Sequence, residues 1–421
     1  MITLTPDQEN AAAEFAAFMI SDNEQCMAIT GWAGCGKTSL VKHLLHDIKS
    51  KQKLMNLLVG KSSTKNLDIY ITAPTNPASK VVGAMTGYES KTIQSLLGLT
   101  VKNDFKTGAT SLVRSKNYTR FTDSLIIVDE GSFIGPALLK EILASTKGCK
   151  VLFVMDPYQL APPKEKVIAV DAMKMRKVAL TTINRNPGPI ATLAGLYREA
   201  VQTGKFPKLV PNGKEIIHAT GPEFQQLIEE EYVRPYRGDM DARIVAWTNA
   251  KVHQYNAHIR QLHGYTEDIC VGERMVTNQP IMAHGDQMLV PTDTVVEVTY
   301  VGEPTTAHGV PGRKVYLEGI SNHVFVPTNK QLVANKLKEV AQKKDWHTYF
   351  EIKNNWADIR PVYASTTHKA QGATLGRVFV DLGDIGRNND PEEVARLLYV
   401  AMSRPTDQVV LYGQLPAKYG G

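Results

Sequence analysis

Short, largely apolar runs bounded by turn residues recur along the chain: CMAIT (26–30), DIYITA (68–73), SLIIV (124–128), KVLFVM (150–155), ARIVAW (242–247) and GRVFVD (376–381). Strands without a polar face suit a sheet covered on both sides, as parallel sheets are. After the first of them, SLVKHLLHDI sets Leu40, Val41, Leu44, Leu45 and Ile48 on one helical face. Alternating strands and helices predict an α/β chain whose ligands sit at the carboxyl ends of the strands. One compact sheet rarely uses four hundred residues, so the strands divide into two halves, the first ending near residue 180. From 263 to 361 the pattern changes to alternating β-branched residues punctuated by Gly and Pro, which predicts a small barrel. A basic amphipathic helix, KQLVANKLKEVAQKKDWHTYF, follows it.

The chemistry begins directly after CMAIT. In GWAGCGKTS, Gly31, Gly36, Lys37 and Thr38 have phosphate-loop spacing, with an extra glycine at Gly34 and with Cys35 and Ser39 inside the same segment. A strand, a glycine turn and a helix start aim backbone N–H groups at phosphate. Lys37 is then placed for the β- and γ-phosphates, and Thr38 for Mg²⁺. The apolar run Leu125–Val128 ends in Asp129 and Glu130. Asp129 suits a water-mediated hold on Mg²⁺, and Glu130 suits orienting or deprotonating the attacking water.

Composition narrows the picture less. Among 421 residues, 48 Lys and Arg stand against 42 Asp and Glu, a surplus of +6 that permits a polyanionic partner without proving one. Part of it is local: residues 101–120 carry Lys102, Lys106, Arg114, Lys116 and Arg120 against Asp104. The KTGA turn there predicts a β-hairpin with Phe105 near its tip. Phe105 can stack on a base or pack on the domain below. Cys26, Cys35, Cys149 and Cys270 are too scattered for structural disulfides or a zinc site, and no apolar run has the length of a membrane span. A reducing cytoplasm is the expected compartment.

Read in order, LTPDQENA, GWAGCGKT, APTNPASK, KTIQSLL, IIVDEGS, MDPYQLAPP, INRNPGPI, YASTTHKAQGATL and LLYVAMSRPTDQ resemble the successive motifs of superfamily 1 helicases. The closest resemblance is to the 1B group, the RecD-like, Dda-type DNA helicases of phages. It implies two RecA-like P-loop domains with parallel sheets, a small β-hairpin insertion and an SH3-like β-barrel insertion. The boundaries it suggests are 1–98 with 121–182 for the first domain, 99–120 for a duplex-splitting pin, 183–262 with 362–421 for the second domain, and 263–361 for the barrel and its basic helix.

The resemblance also implies roles. Gln8 would read the adenine edge, and Asp156 and Gln159 would sense the γ-phosphate. Arg185 and Arg404 would be arginine fingers, and Gln371 and Gly372 would face nucleotide. Pro74, Thr75, Lys80, Thr92, Gln94, Thr366, His368 and Lys369 would grip single-stranded DNA or couple that grip to ATP. Each threonine suits a helix N-cap equally well. Gly131, Met155, Gln94, Ser403 and Pro405 depart from the more usual family residues at their positions. The expected activity is ATP- and Mg²⁺-dependent 5′ to 3′ unwinding by a monomer at a single-strand/duplex fork, in phage replication or recombination. The alternatives are a 3′ to 5′ or RNA-directed relative, a protein-stripping translocase and a non-catalytic nucleotide-dependent module.

Overall fold

The computed structural model describes residues 4–59, 67–103, 110–162, 165, 167–183, 188–233, 241–282 and 288–421, with backbone alone at 51–59, 101–103, 110 and 111. Phe105 and Arg185 lie outside the described residues. The chain forms two compact units: Met1–Leu99, Arg114–Ala219 and Thr367–Gly421 make one, and Thr100–Val113 and Thr220–Thr366 the other.

The first unit is built on a six-stranded sheet. Its order across the sheet is Ser90–Thr92, Asp68–Ala73, Ser124–Val128, Lys150–Met155, Cys26–Gly31 and Arg176–Leu180. All five pairings are parallel. Burial of both faces explains the continuous apolar runs. In Lys150–Met155, the side chains of Val151, Phe153 and Met155 join one core, while Leu152 and Val154 join the other. The second of these cores receives Leu40, Val41, Leu44 and Leu45 from the helix Lys37–Val59, with Ile48 partly buried beside them. Phe15 and Phe18 of the helix Pro6–Ile20 complete it. The opposite core receives Leu138, Leu139 and Ile142 from Pro136–Ser145.

The same unit contains the parallel strands Leu375–Asp381, Pro405–Tyr412 and Ile216–Ala219, paired in that order. The helices Pro189–Thr203 and Pro391–Met402 pack against each other beside them. The latter buries a continuous stretch from Leu397 to Met402.

In the second unit, Ala242–Ala246 pairs in parallel with Ala364–Thr366. The 263–361 region forms a five-stranded sheet in the order Val324–Pro327, Val310–Leu317, Val295–Ala307, Arg274–Thr277 and Ile359–Pro361, with antiparallel pairings. One outer strand meets the segment that leads into the other, since Phe325 bridges Trp356 and accepts at its carbonyl from Ala357 N–H at 2.8 Å. Alternation places Val296, Val298, Val315, Leu317, Val324 and Val326 in a common interior. Leu99–Asn103 and Thr110–Arg114 pair as a separate two-stranded sheet around the undescribed segment that holds Phe105.

Candidate active site

Parallel topology brings the candidate residues together. Gly31, Ala73, Thr92, Val128 and Met155 each end a strand of the six-stranded sheet at its carboxyl edge. The residues that follow are the phosphate loop, Pro74–Thr75, Gln94, Asp129–Glu130 and Asp156–Gln159. Register gives the same picture residue by residue: Ala73 lies opposite Thr92, and Asp129 donates its N–H to Thr72 O at 2.9 Å.

The phosphate loop turns at Gly34 and Gly36, whose φ values of 83° and 77° favour glycine. Gly31 is required for a different reason: a Cβ there would lie 2.6 Å from Cys35 Sγ and 3.0 Å from Leu180 Cβ. Lys37 Nζ donates to Gly31 O at 2.7 Å and Trp32 O at 3.0 Å, so the amine lies folded back along the loop. Thr38 and Ser39 follow in the first turn of the helix. Gln8 is buried and braces this loop: its Nε2 donates to Cys35 O at 3.1 Å and its Oε1 accepts from Thr5 N–H at 3.1 Å. Neighbouring Asp7 accepts from the N–H groups of Thr181 and Thr182 at 2.7 and 2.8 Å. Burial opposes its charge, but the hydrogen bonds from Thr5, Thr182 and Thr181 prevail and hold its pKa at about 2.

Asp129 and Glu130 form an acidic pair facing the lysine. Glu130 has φ of 51°, a conformation that ordinary residues adopt at some strain and that recurs at functional sites. Burial and the adjacent Asp129 raise its pKa to about 7, against the opposing pull of Lys37 and Arg404. Burial raises Asp129 as well, while the Glu130 N–H and Lys37 draw it back. The Asp129 carboxylate and the Thr38 hydroxyl are the hard oxygen donors of this site that suit Mg²⁺. Bound there, the ion would neutralise charge on the β- and γ-phosphate oxygens.

Arg404 is 6% exposed and is oriented by neutral acceptors: Nη1 donates to Ala373 O at 3.2 Å, Nη2 to Ser403 Oγ at 2.8 Å, and Nε to Val400 O at 3.2 Å. Its charge acts on Glu130. Gly372 belongs to the same cluster, since a Cβ on it would stand 3.7 Å from Glu130 Oε1. Gln371 Nε2 donates to Gln159 Oε1 at 2.8 Å, joining two buried amides 212 positions apart. Lys37, Asp129, Glu130, Gln159, Gln371, Gly372 and Arg404 thus converge within the first unit.

The candidate DNA contacts are placed less completely. Thr75 caps Asn76–Thr86 by accepting from Ala78 N–H, and Thr92 caps Ile93–Leu97 by accepting from Ser95 N–H. Pro74 is partly buried and Lys80 exposed. Gln94 Oε1 is buried without a hydrogen-bond partner. Thr366 ends a strand of the second unit. His368 and Lys369 lie on the short helix Thr367–Ala370, where burial lowers the His368 pKa despite Glu393. Among the described residues no group of His, Cys, Asp and Glu forms a metal cluster, and no helix is long and apolar enough to cross a membrane.

The contacts of three side chains have no counterpart in the motif reading. Tyr399 links the phosphate loop to Asp156, and Arg396 grips the turn after Asp156. Arg198, 8% exposed, stacks its guanidinium 3.2 Å from the centre of the Trp32 ring. In sequence these residues look like members of apolar or charged helix faces. Only the placement of Tyr399 and Arg396 three positions apart, just before SRPT, was available as a signal.

A phosphate loop at the edge of a parallel sheet, an acidic pair on a neighbouring strand and an arginine beside them define a P-loop nucleoside triphosphatase. Residues 3–209 match the family model of an AAA domain, and residues 361–412 that of a UvrD-like helicase C-terminal domain. The ATP-dependent DNA helicase dda of Enterobacteria phage T4 is 25% identical over 455 residues, spanning 95% of this chain and 97% of that protein. The ATP-dependent RecD2 DNA helicase of Deinococcus radiodurans is 28% identical over 197 residues, 47% of this chain and 22% of its own. In fold, the chain resembles the Pif1 helicase from Bacteroides solved with ADP-AlF3 and ssDNA, with a TM-score of 0.52 at 16% identity over 100% of this chain and 94% of that one. Pif1 from Candida albicans has a TM-score of 0.50 at 17% identity, over 100% and 97%. The chain belongs to the superfamily 1B helicases, with Dda- and RecD-like relatives.

Proposed function

We propose that this chain is an ATP-dependent DNA helicase that moves 5′ to 3′ along single-stranded DNA and separates the duplex ahead. The observation that carries this reading is the convergence of Lys37, Asp129, Glu130 and Gln159 at one sheet edge, next to Thr75 and Thr92 and with the charge of Arg404 acting on Glu130. An engine and a strand grip that share one edge can be coupled by small movements of the same loops.

In this reading the loop N–H groups cradle the phosphates, and Lys37 swings from Gly31 O and Trp32 O to the β- and γ-phosphates. Glu130 takes the proton of the attacking water, and Arg404 stabilises charge on the transferring phosphoryl group, a role shared with Arg185. Thr75, Thr92, Gln94, Thr366, His368 and Lys369 hold the DNA backbone with short donors that carry no sequence preference, Pro74 and Lys80 lying alongside. The 99–120 segment acts as a pin, and the sheet of 263–361, in which Phe325 of one edge strand bridges Trp356 just before the other, as an SH3-like barrel. The motor works as a monomer in the cytoplasm during phage replication or recombination.

Duplexes with a 5′ or a 3′ single-strand tail test the reading directly, using DNA-stimulated ATPase and strand separation as readouts. Hydrolysis stimulated by single-stranded DNA, with unwinding of the 5′-tailed substrate alone, is the expected result. Unwinding only from a 3′ tail overturns the polarity, and absence of DNA-stimulated hydrolysis overturns the function. Phe105→Ala is expected to lower unwinding by about tenfold, the scale of one lost base-stacking contact, while leaving single-strand-stimulated ATPase near wild type. Equal loss of both activities would make Phe105 a structural residue.

A further inference from the structure

The helix Pro391–Met402 engages the nucleotide machinery through two side chains one turn apart. The Tyr399 hydroxyl accepts from Ala33 N–H of the phosphate loop at 3.0 Å and donates to Asp156 Oδ2 at 2.5 Å. Arg396 Nη1 donates to Pro157 O and to Gln159 O, both at 2.7 Å. Residues three apart share a helix face, so the two contacts act on the same turn.

The donor arithmetic admits one arrangement. A phenol has a single proton, and the Asp156 carboxylate takes it, so Ala33 N–H must be the donor on the other side. Asp156 Oδ1 already accepts from Tyr158 N–H at 3.0 Å. Tyr399 is 2% exposed and Asp156 0%, so water cannot replace either partner without a rearrangement. The loop tip, the Asp156–Leu160 turn and the helix are therefore interlocked. Gln159 extends the lock to Gln371, and Arg404 follows the helix by two residues.

We propose that Tyr399 and Arg396 are positioning residues for ATP hydrolysis. They hold the Asp156–Gln159 turn in register with both the phosphate loop and the helix preceding Arg404, so that turn and arginine reach the γ-phosphate together. The inference rests on the reading of the chain as a DNA-stimulated ATPase. Tyr399 and Arg396 act through Asp156, Gln159 and Arg404, so their removal acts on turnover and spares nucleotide affinity.

The experiment measures ATP hydrolysis by the full chain with saturating single-stranded DNA, across ATP concentrations, for Tyr399→Phe, Arg396→Ala and Arg396→Lys. Tyr399→Phe is expected to lower kcat about tenfold, the scale of one charge-assisted hydrogen bond, with KM for ATP within about twofold of wild type. Arg396→Ala is expected to match it, and Arg396→Lys, which keeps an ammonium able to reach the two carbonyls, to recover most of the loss. Combining Tyr399→Phe with Asp156→Asn should cost no more turnover than Asp156→Asn alone, as for members of one unit. Wild-type kcat in both Tyr399→Phe and Arg396→Ala, a raised KM at unchanged kcat, or fully additive losses would overturn the inference. The partly exposed Arg396 decides the matter if Tyr399→Phe fails to fold. A wild-type chain without DNA-stimulated hydrolysis would instead remove the functional reading beneath it.

Discussion

Arg404→Ala is expected to leave ATP binding within about threefold of wild type and to lower DNA-stimulated turnover by roughly a thousandfold, the lower end of the range for an arginine finger. The difference follows from where the charge acts. In the proposed mechanism Lys37 and the backbone N–H groups of the loop meet the phosphates in the ground state, whereas Arg404 is held by Ala373 O, Ser403 Oγ and Val400 O and acts on Glu130. A cation beside the attacking-water position stabilises charge that develops only as the γ-phosphoryl group transfers. Equilibrium titration with a fluorescent ATP analogue, alongside steady-state hydrolysis, separates the two effects. A parallel loss of affinity and turnover would make Arg404 a ground-state phosphate ligand, and turnover at the wild-type rate would remove it from the site.

Glu130→Gln is expected to lower turnover by about 10²- to 10⁴-fold while nucleotide still binds, because the amide keeps the shape of the side chain but cannot accept a proton. The pH dependence sharpens this expectation. Burial and Asp129 raise the Glu130 pKa to about 7, so the group is increasingly protonated, and inactive as a base, as pH falls through neutrality. The acidic limb of kcat/KM in the native chain should therefore lie near pH 7 and be lost in the variant. Stability carries the opposite sign. Between the ordinary value of 4.5 and about 7 the folded chain binds a proton that the unfolded chain has released, so stability is lost as pH rises through that window. Replacing Glu130 with a neutral group removes that penalty, and the gain in melting temperature should be larger at pH 8 than at pH 5. An equal gain at both pH values would contradict the raised pKa.

Much of the site was legible because its parts are local. Gly34 and Gly36 announce a backbone that needs positive φ, and Lys37 and Thr38 follow them at fixed positions on a helix start. Asp129 and Glu130 close an apolar run, and a buried strand can end in acids only where its carboxyl edge opens on a ligand site or solvent. Thr75 and Thr92 show the limit of such reasoning. Both sit at the right sequence positions for gripping a strand, and both already cap helices, since one hydroxyl satisfies either requirement with the same local geometry. Gln8 is similar: expected to face adenine, its amide also braces Cys35 O and caps its own helix at Thr5.

Tyr399 and Arg396 were out of reach for a different reason. Tyr399 stands in an uninterrupted buried stretch, where a tyrosine reads as another core side chain. Its hydroxyl meets Ala33 across 366 positions of sequence, and Arg396 meets Pro157 across 239. Periodicity and spacing report on neighbours within a few turns, which is enough to settle elements, glycine turns and the acids at strand ends. Long-range hydrogen bonds between buried groups depend on how sheets and helices stack, and the packed chain alone selects which partner each such group meets. The phosphate loop, the acidic pair and the α/β alternation were thus decided along the chain, while the joining of loop, turn and arginine helix into one device was decided by packing.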